Sequence, residues 1–130
     1  MIYKPMPKWL QDHLYAPITG TLTYRYGRIA KVYLCQDCNV RVLQGLADEI
    51  EPAKIEIVEL TEFGEVGALL DGRATYRLYG HLRSTLELSR RDTWRISTAP
   101  IGTSDANGKI RVFAEHKCGK PIPREWIAGQ

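Results

Sequence analysis

No apolar run in this sequence approaches the 18 residues of a membrane-spanning helix. Its first fifteen residues, MIYKPMPKWLQDHLY, carry prolines and charges where a signal peptide needs an unbroken apolar stretch. Both absences predict a soluble, intracellular chain that works in the cytoplasm without a membrane partner. Cysteine is scarce: there are three, an odd number in a chain of 130 residues, which is long enough to bury a core without covalent staples. That argues against a secreted disulfide framework and turns attention to metal binding or thiolate chemistry. Common catalytic signatures are missing as well, including Gly-x-Ser-x-Gly, the P-loop, the dinucleotide glycine fingerprint and His-Glu-x-x-His. With internal repeats, linkers and low-complexity segments also absent, a single domain over residues 1–130 is expected.

What is present is ordinary globular composition, 44% hydrophobic and 25% charged, which requires a folded core. The net charge of +3 conceals three blocks: +4 over residues 1–36, −7 over 37–71 and +6 over 72–130. Such blocks either pack together and neutralise one another or leave a dipolar surface with two partner faces.

The apolar periodicity predicts a mainly β fold of the α+β kind. A small antiparallel sheet or partly open barrel carries one or two short helices and is clasped by a zinc knuckle. Trp9, Leu10, His13 and Leu14 share a helical face near the N-terminus. Residues 22–26 and 29–34 read as a hairpin leading to Cys35. Val40, Leu43, Ala47 and Ile50 recur near the helical period and predict a helix over 39–52, although Gly45 weakens it. Period-2 alternation then predicts strands at 54–60, 65–70, 73–83, 93–98 and 109–115, with Leu86 to Leu88 continuing or bulging. Hairpin turns are expected at Asp71-Gly72 and around Asn107-Gly108.

Cys35-Gln36-Asp37-Cys38 ends a predicted strand, as a zinc knuckle does, and His116-Lys117-Cys118-Gly119 offers a second half-site. Residues two apart on an extended segment share a face, so His116 and Cys118 point together, and Gly119 permits a tight turn behind them. Cys35, Cys38, His116 and Cys118 form a complete tetrahedral set for structural Zn2+. The plainer alternative is three reduced thiols, some of them core residues. A nucleobase-deaminase site is not matched: it needs His-x-Glu ahead of Pro-Cys-x-x-Cys, and here CxxC comes first without the proline. A full four-ligand shell would leave no open position for catalytic water.

Parity over residues 73–83 places Ala74, Tyr76, Leu78, Gly80 and Leu82 on one face. Arg73, Thr75, Arg77, Tyr79, His81 and Arg83 fall on the other, which is predicted to be exposed, with Arg95 supplied by a neighbour. Arginines beside aromatic rings suit phosphates and stacked bases, so Arg73, Arg77, Tyr79, His81, Arg83 and Arg95 form a candidate site for single-stranded nucleic acid, RNA or another phosphate-bearing ligand. A merely solvated sheet face explains the same pattern. Two further readings stand beside this one. The acidic stretch over 48–65, through Glu56, Glu59 and Glu62, could meet a basic protein surface in an interaction factor or an inhibitor of the mobile-element type. Alternatively, His81 with Ser84 and Thr85 could centre a small-nucleotide binder or enzyme. Asp12-His13 and Glu115-His116 are the remaining acid/base pairs and have no supporting motif. The leading expectation is a non-enzymatic binding or regulatory protein.

Overall fold

The computed structural model describes residues 8–15, 27–80, 85–91, 101, 103–105 and 108–129. Helix α1 (Lys8–Tyr15) precedes strands β1 (Lys31–Leu34), β2 (Arg41–Ala47) and β3 (Glu51–Glu59), and helix α2 (Glu62–Leu70) follows. Then come β4 (Thr75–Tyr79), β5 (Glu87–Arg90), the short pair β6 (Ser104–Asp105) and β7 (Gly108–Lys109), and β8 (Arg111–Glu115). A 3-10 turn at Arg124–Trp126 closes the described part. Six strands form one sheet in the order β1-β2-β3-β8-β4-β5, every described pairing antiparallel. The sheet is open but curled. Beyond its formal edges, Ala30 N–H donates to Leu86 O at 2.8 Å and Asp48 N–H to Leu88 O at 2.9 Å, drawing β5 toward the β2 side.

Each face of the sheet is covered by a different element. Leu10 and Leu14 of α1 pack with Leu43, Ile55, Tyr76, Leu78, Leu88 and Phe113, whereas Ala68 of α2 packs with Leu60, Ile110, Val112 and Ala114, backed by Trp126. Strand β8 therefore buries Phe113 on one side and Val112 and Ala114 on the other, as a central strand must. The mainly β architecture, the N-terminal helix, the strand over 54–60 and the strand read over 109–115, which runs from Arg111, match the reading of the sequence, whereas the second helix stands elsewhere than expected.

Three expectations need correction. Residues 39–52 are not a helix: they hold β2 and its hairpin to β3. The turn uses Asp48 at φ 53° and Glu49 at φ 66°, the two left-handed residues of the turn whose twist suits paired strands. The apparent helical period arose because β2 is buried on both faces. Residues 65–70 are not a strand but the body of α2. Thr61 caps it by accepting from Gly64 N–H at 2.9 Å, and Glu62 and Glu65 in the first turn favour the positive end of the helix dipole. Asp71-Gly72 does turn the chain, but as a helix stop: Gly72 has φ 78° and Arg73 N–H returns to Ala68 O at 2.9 Å. Leu86 to Leu88 leads into β5, a separate strand paired with β4. The strand expected at 93–98 and residues 22–26 lie outside the described residues.

The third correction follows from the second. Because α2 lies over the sheet, the face of β4 expected to meet solvent is covered. Arg73 is only 2% exposed and Thr75 is buried, while Arg77 and Tyr79 are half-buried. Tyr76 and Leu78 are buried as expected.

Candidate metal centre

Strand β1 delivers Cys35 to a tight loop that returns the chain to β2. Cys35 N–H donates to Val40 O at 2.7 Å and Asn39 N–H to Cys35 O at 2.8 Å, while Asn39 takes φ 61°. The turn aims Cys35 and Cys38 to one side. Across β3, the end of β8 continues into His116, whose N–H donates to Lys54 O at 2.8 Å, and the chain turns at Gly119 with φ 76°. The two segments meet so that one ligand atom from each of Cys35, Cys38, His116 and Cys118 lies within 4.8 Å of every other.

The separations carry chemical meaning. Cys35 Sγ and Cys118 Sγ are 3.6 Å apart, and His116 Nε2 lies 3.3 Å from Cys38 Sγ and 3.4 Å from Cys118 Sγ. A tetrahedral Zn2+ with ordinary Zn–S and Zn–N bonds has edges of about 3.8 Å between sulfurs and about 3.5 Å between sulfur and nitrogen. These three edges have the lengths of a coordination tetrahedron and all four ligand atoms stay within 4.8 Å of one another, with no S–S bond formed. His116 completes the arrangement through its other nitrogen: Nδ1 lies 2.7 Å from Glu56 Oε1. An ionised carboxylate only accepts, so Nδ1 donates to Glu56, and in the neutral ring that leaves the Nε2 lone pair for a metal. Glu56 is in turn 3.9 Å from the buried Arg73 guanidinium. It lies where the pairing of β3 with β8 slips between Ile55 and Glu59, an irregularity of the kind that re-aims a side chain.

The thiols are unequal. Burial alone pushes the Cys35 thiol up, but N–H groups of Cys38 and Asp37, with the neighbouring thiols, outweigh it and bring Cys35 down to about 6. Hydrogen bonding with Cys38 and then Cys35 pushes the Cys118 thiol up to about 12. Lys54 Nζ lies 3.7 Å from Cys35 Sγ, where its charge offsets thiolate charge. Lys54 and the orienting role of Glu56 had no signal in the spacing of the sequence, because both arrive by strand register from β3.

The other candidate residues are dispersed. Arg73 works inside the fold, donating to Asp71 Oδ2 and Glu115 O, each at 3.1 Å, and to Lys120 O. Arg77 donates to Gly108 O at 3.1 Å, and Tyr79 stands at the end of β4. His81, Arg83 and Arg95 lie outside the described residues, as does Ser84. Of the acidic set, Glu56 serves His116, Glu59 is 5% exposed and accepts from Arg111 at 2.8 Å, and Glu62 is exposed at the start of α2. No described helix is long and apolar enough to cross a membrane. Neither a protein-family model, a curated protein nor a solved structure matches the chain.

Proposed function

We propose that this chain is a non-enzymatic binding protein whose Cys35, Cys38, His116 and Cys118 hold one structural Zn2+. The observation that carries the reading is the tetrahedral spacing of four ligand atoms drawn from segments with 77 residues between them in the chain, with His116 oriented by Glu56. Three thiolates and an imidazole select a borderline-soft, tetrahedral ion, and Zn2+ is the common one. A closed shell of four protein ligands leaves no site for water or substrate, so the metal acts as a clasp between the β1–β2 loop and the end of β8. Reduced thiolates suit a reducing compartment such as the cytoplasm.

Elemental analysis of the purified chain tests this, with one Zn2+ per chain expected. Replacement by Co2+ should give the intense visible bands of a tetrahedral thiolate site. Metal content near zero, with none gained on reconstitution, would overturn the reading.

For what the protein binds, a phosphate-bearing ligand such as single-stranded nucleic acid loses Arg73 to the interior and meets Arg77 and Tyr79 only as half-buried side chains, with Arg77 already donating to Gly108 O. Titration with oligonucleotides at several salt concentrations separates this reading from a protein partner. A backbone contact contributes a log–log slope of about −0.7 each, and a protein-binding role predicts no oligonucleotide binding at low salt.

A further inference from the structure

Helix α2 is buried along one side only. Gly64 and Gly67 press against Trp126 so closely that a Cβ on Gly64 would lie 2.2 Å from the Trp126 carbonyl oxygen, and one on Gly67 2.5 Å from the indole. On the opposite side Phe63, Val66 and Leu70 are 66%, 56% and 84% exposed. Their spacing of three and four residues makes one continuous stripe, about 10 Å long at 1.5 Å per residue. Among the described residues, three of the five large apolar side chains left exposed are on this helix, so the exposure is concentrated rather than scattered.

The charges bordering the stripe differ between its ends. At the N-terminal end Glu62 is exposed, whereas Glu65 is taken inward by Arg91 at 2.6 and 3.0 Å. At the C-terminal end Lys117 donates its Nζ to Asp71 O at 3.2 Å. The Asp71 carboxyl is held below its usual value, first by its hydrogen bond from Arg73 and further by the charges of Lys120 and Lys117. The stripe therefore runs from the lone acid Glu62 to an end where Lys117 and Lys120 outnumber Asp71, whose carboxylate is already paired with Arg73, with Val66 near its midpoint.

We propose that α2 is a self-association face, on which a second copy of this chain packs its own α2 antiparallel about a two-fold axis at Val66. Phe63 of each copy then covers Leu70 of the other, and Glu62 of each faces Lys117 and Lys120 of the other. Such an isologous contact satisfies every element of the stripe twice. A parallel arrangement would set Glu62 against Glu62 and lysine against lysine, so charge selects the antiparallel one. Three apolar side chains per copy make a small interface, and the dimer is correspondingly weak and concentration-dependent. The apolar stripe contains no metal ligand, whereas Lys117 and Lys120 stand in the segment that holds His116 and Cys118, which is why the metal-loaded chain is the one to test.

Sedimentation equilibrium of the metal-loaded full chain over a wide concentration range tests it. A monomer–dimer equilibrium is expected, abolished by Val66→Glu, which places two carboxylates at the axis. Leu70→Asp, at a more exposed position, gives the same readout should Val66→Glu fail to fold. Glu62→Lys or Lys120→Glu alone should weaken the dimer about fivefold at low salt, and the two together should restore it. A chain that stays monomeric at all concentrations would overturn the proposal. So would a dimer that survives both apolar substitutions, or charge reversals that fail to compensate. At concentrations where the native chain is monomeric, a Val66→Glu chain that melts several degrees lower would also count against it, because the stripe would then be covered from within the chain.

Discussion

His116 is 3% exposed on its side chain, and its two ring nitrogens do different jobs: Nε2 faces the sulfurs while Nδ1 is held by Glu56. Without Glu56 the ring loses the partner that fixes its tautomer and rotation. Glu56→Ala should therefore lower Zn2+ affinity by about 10–100-fold in chelator competition, with Glu56→Gln falling between it and the native chain. An unchanged affinity would mean that the ring is positioned by packing alone. A second residue with a readable titration is Tyr76, which is 2% exposed and lies 3.4 Å from Glu51 Oε1 through its hydroxyl. Burial first, and then the charges of Glu51 and Glu115, raise its phenol from 10.0 to about 12. The folded chain keeps this proton where the unfolded chain has lost it. Its stabilisation is thus fully present below pH 10 and is lost as pH rises toward 12. Tyr76→Phe should lose about 0.5–1.5 kcal/mol at neutral pH and escape an alkaline loss of order 2–3 kcal/mol, so urea unfolding of the two chains should converge or cross between about pH 10 and 12. At this scale the sequence was most readable where residue type alone restricts chemistry: three cysteines and a histidine have few uses together. Arg73 was unreadable because an arginine's carbonyl partners, Glu115 and Lys120, lie 42 and 47 residues away.

Among the elements, α2 and the β2–β3 hairpin are where pattern and structure parted, each for a local reason. Period-2 reading fails for a helix as glycine-rich and apolar as residues 62–70, whose Gly64 and Gly67 are dictated by Trp126 rather than by helix propensity. The signals that do specify the helix are at its ends, Thr61 before it and Gly72 after it. Asp48-Glu49 likewise lacks the glycine or asparagine that usually marks a left-handed hairpin turn. Asp48 is held there by its own side chain, which accepts from Ser89 Oγ at 2.7 Å and from Arg90 N–H at 3.1 Å. The tight approach of α2 to Trp126 yields a prediction with two opposed contributions. Gly67→Ala should gain about 1 kcal/mol of helix propensity but drive a methyl group into the indole, an overpacking cost of about 1–3 kcal/mol. Net destabilisation of Gly67→Ala in equilibrium unfolding is expected, with most of it removed by Trp126→Leu in the same chain. A Gly67→Ala chain more stable than the native one would show that Trp126 moves aside freely.

Across the whole molecule, the charge blocks that were visible in the sequence meet inside the fold. The acidic middle finds the basic C-terminal part through Glu51–Arg90, Glu59–Arg111, Glu65–Arg91 and the Glu56 link to Arg73 and His116, and Asp48 is taken up by β5. Of the two readings those blocks allowed, mutual neutralisation is the one these pairs fit. Only the register of β3 against β8 and of β4 against β8 decides it, and register is a long-range property that composition does not contain. The same register determines what the metal would hold. Its ligands join the β1–β2 loop to the segment after β8, passing over the intervening β3, while the two apolar clusters lie elsewhere and contain none of the four ligands. Metal removal should therefore loosen one end of the sheet rather than unfold the chain. Structural Zn2+ contributes about 10–16 kcal/mol in peptides that have no other core, and here only the part not already supplied by the two clusters would be lost. Hydrogen exchange with and without a chelator should show protection falling at residues 31–41 and 116–120 while β4, β8 and α2 keep theirs, and Cys118→Ser should reproduce the pattern. Uniform loss of protection would make the metal a condition of folding, and no loss anywhere would deny it a structural role.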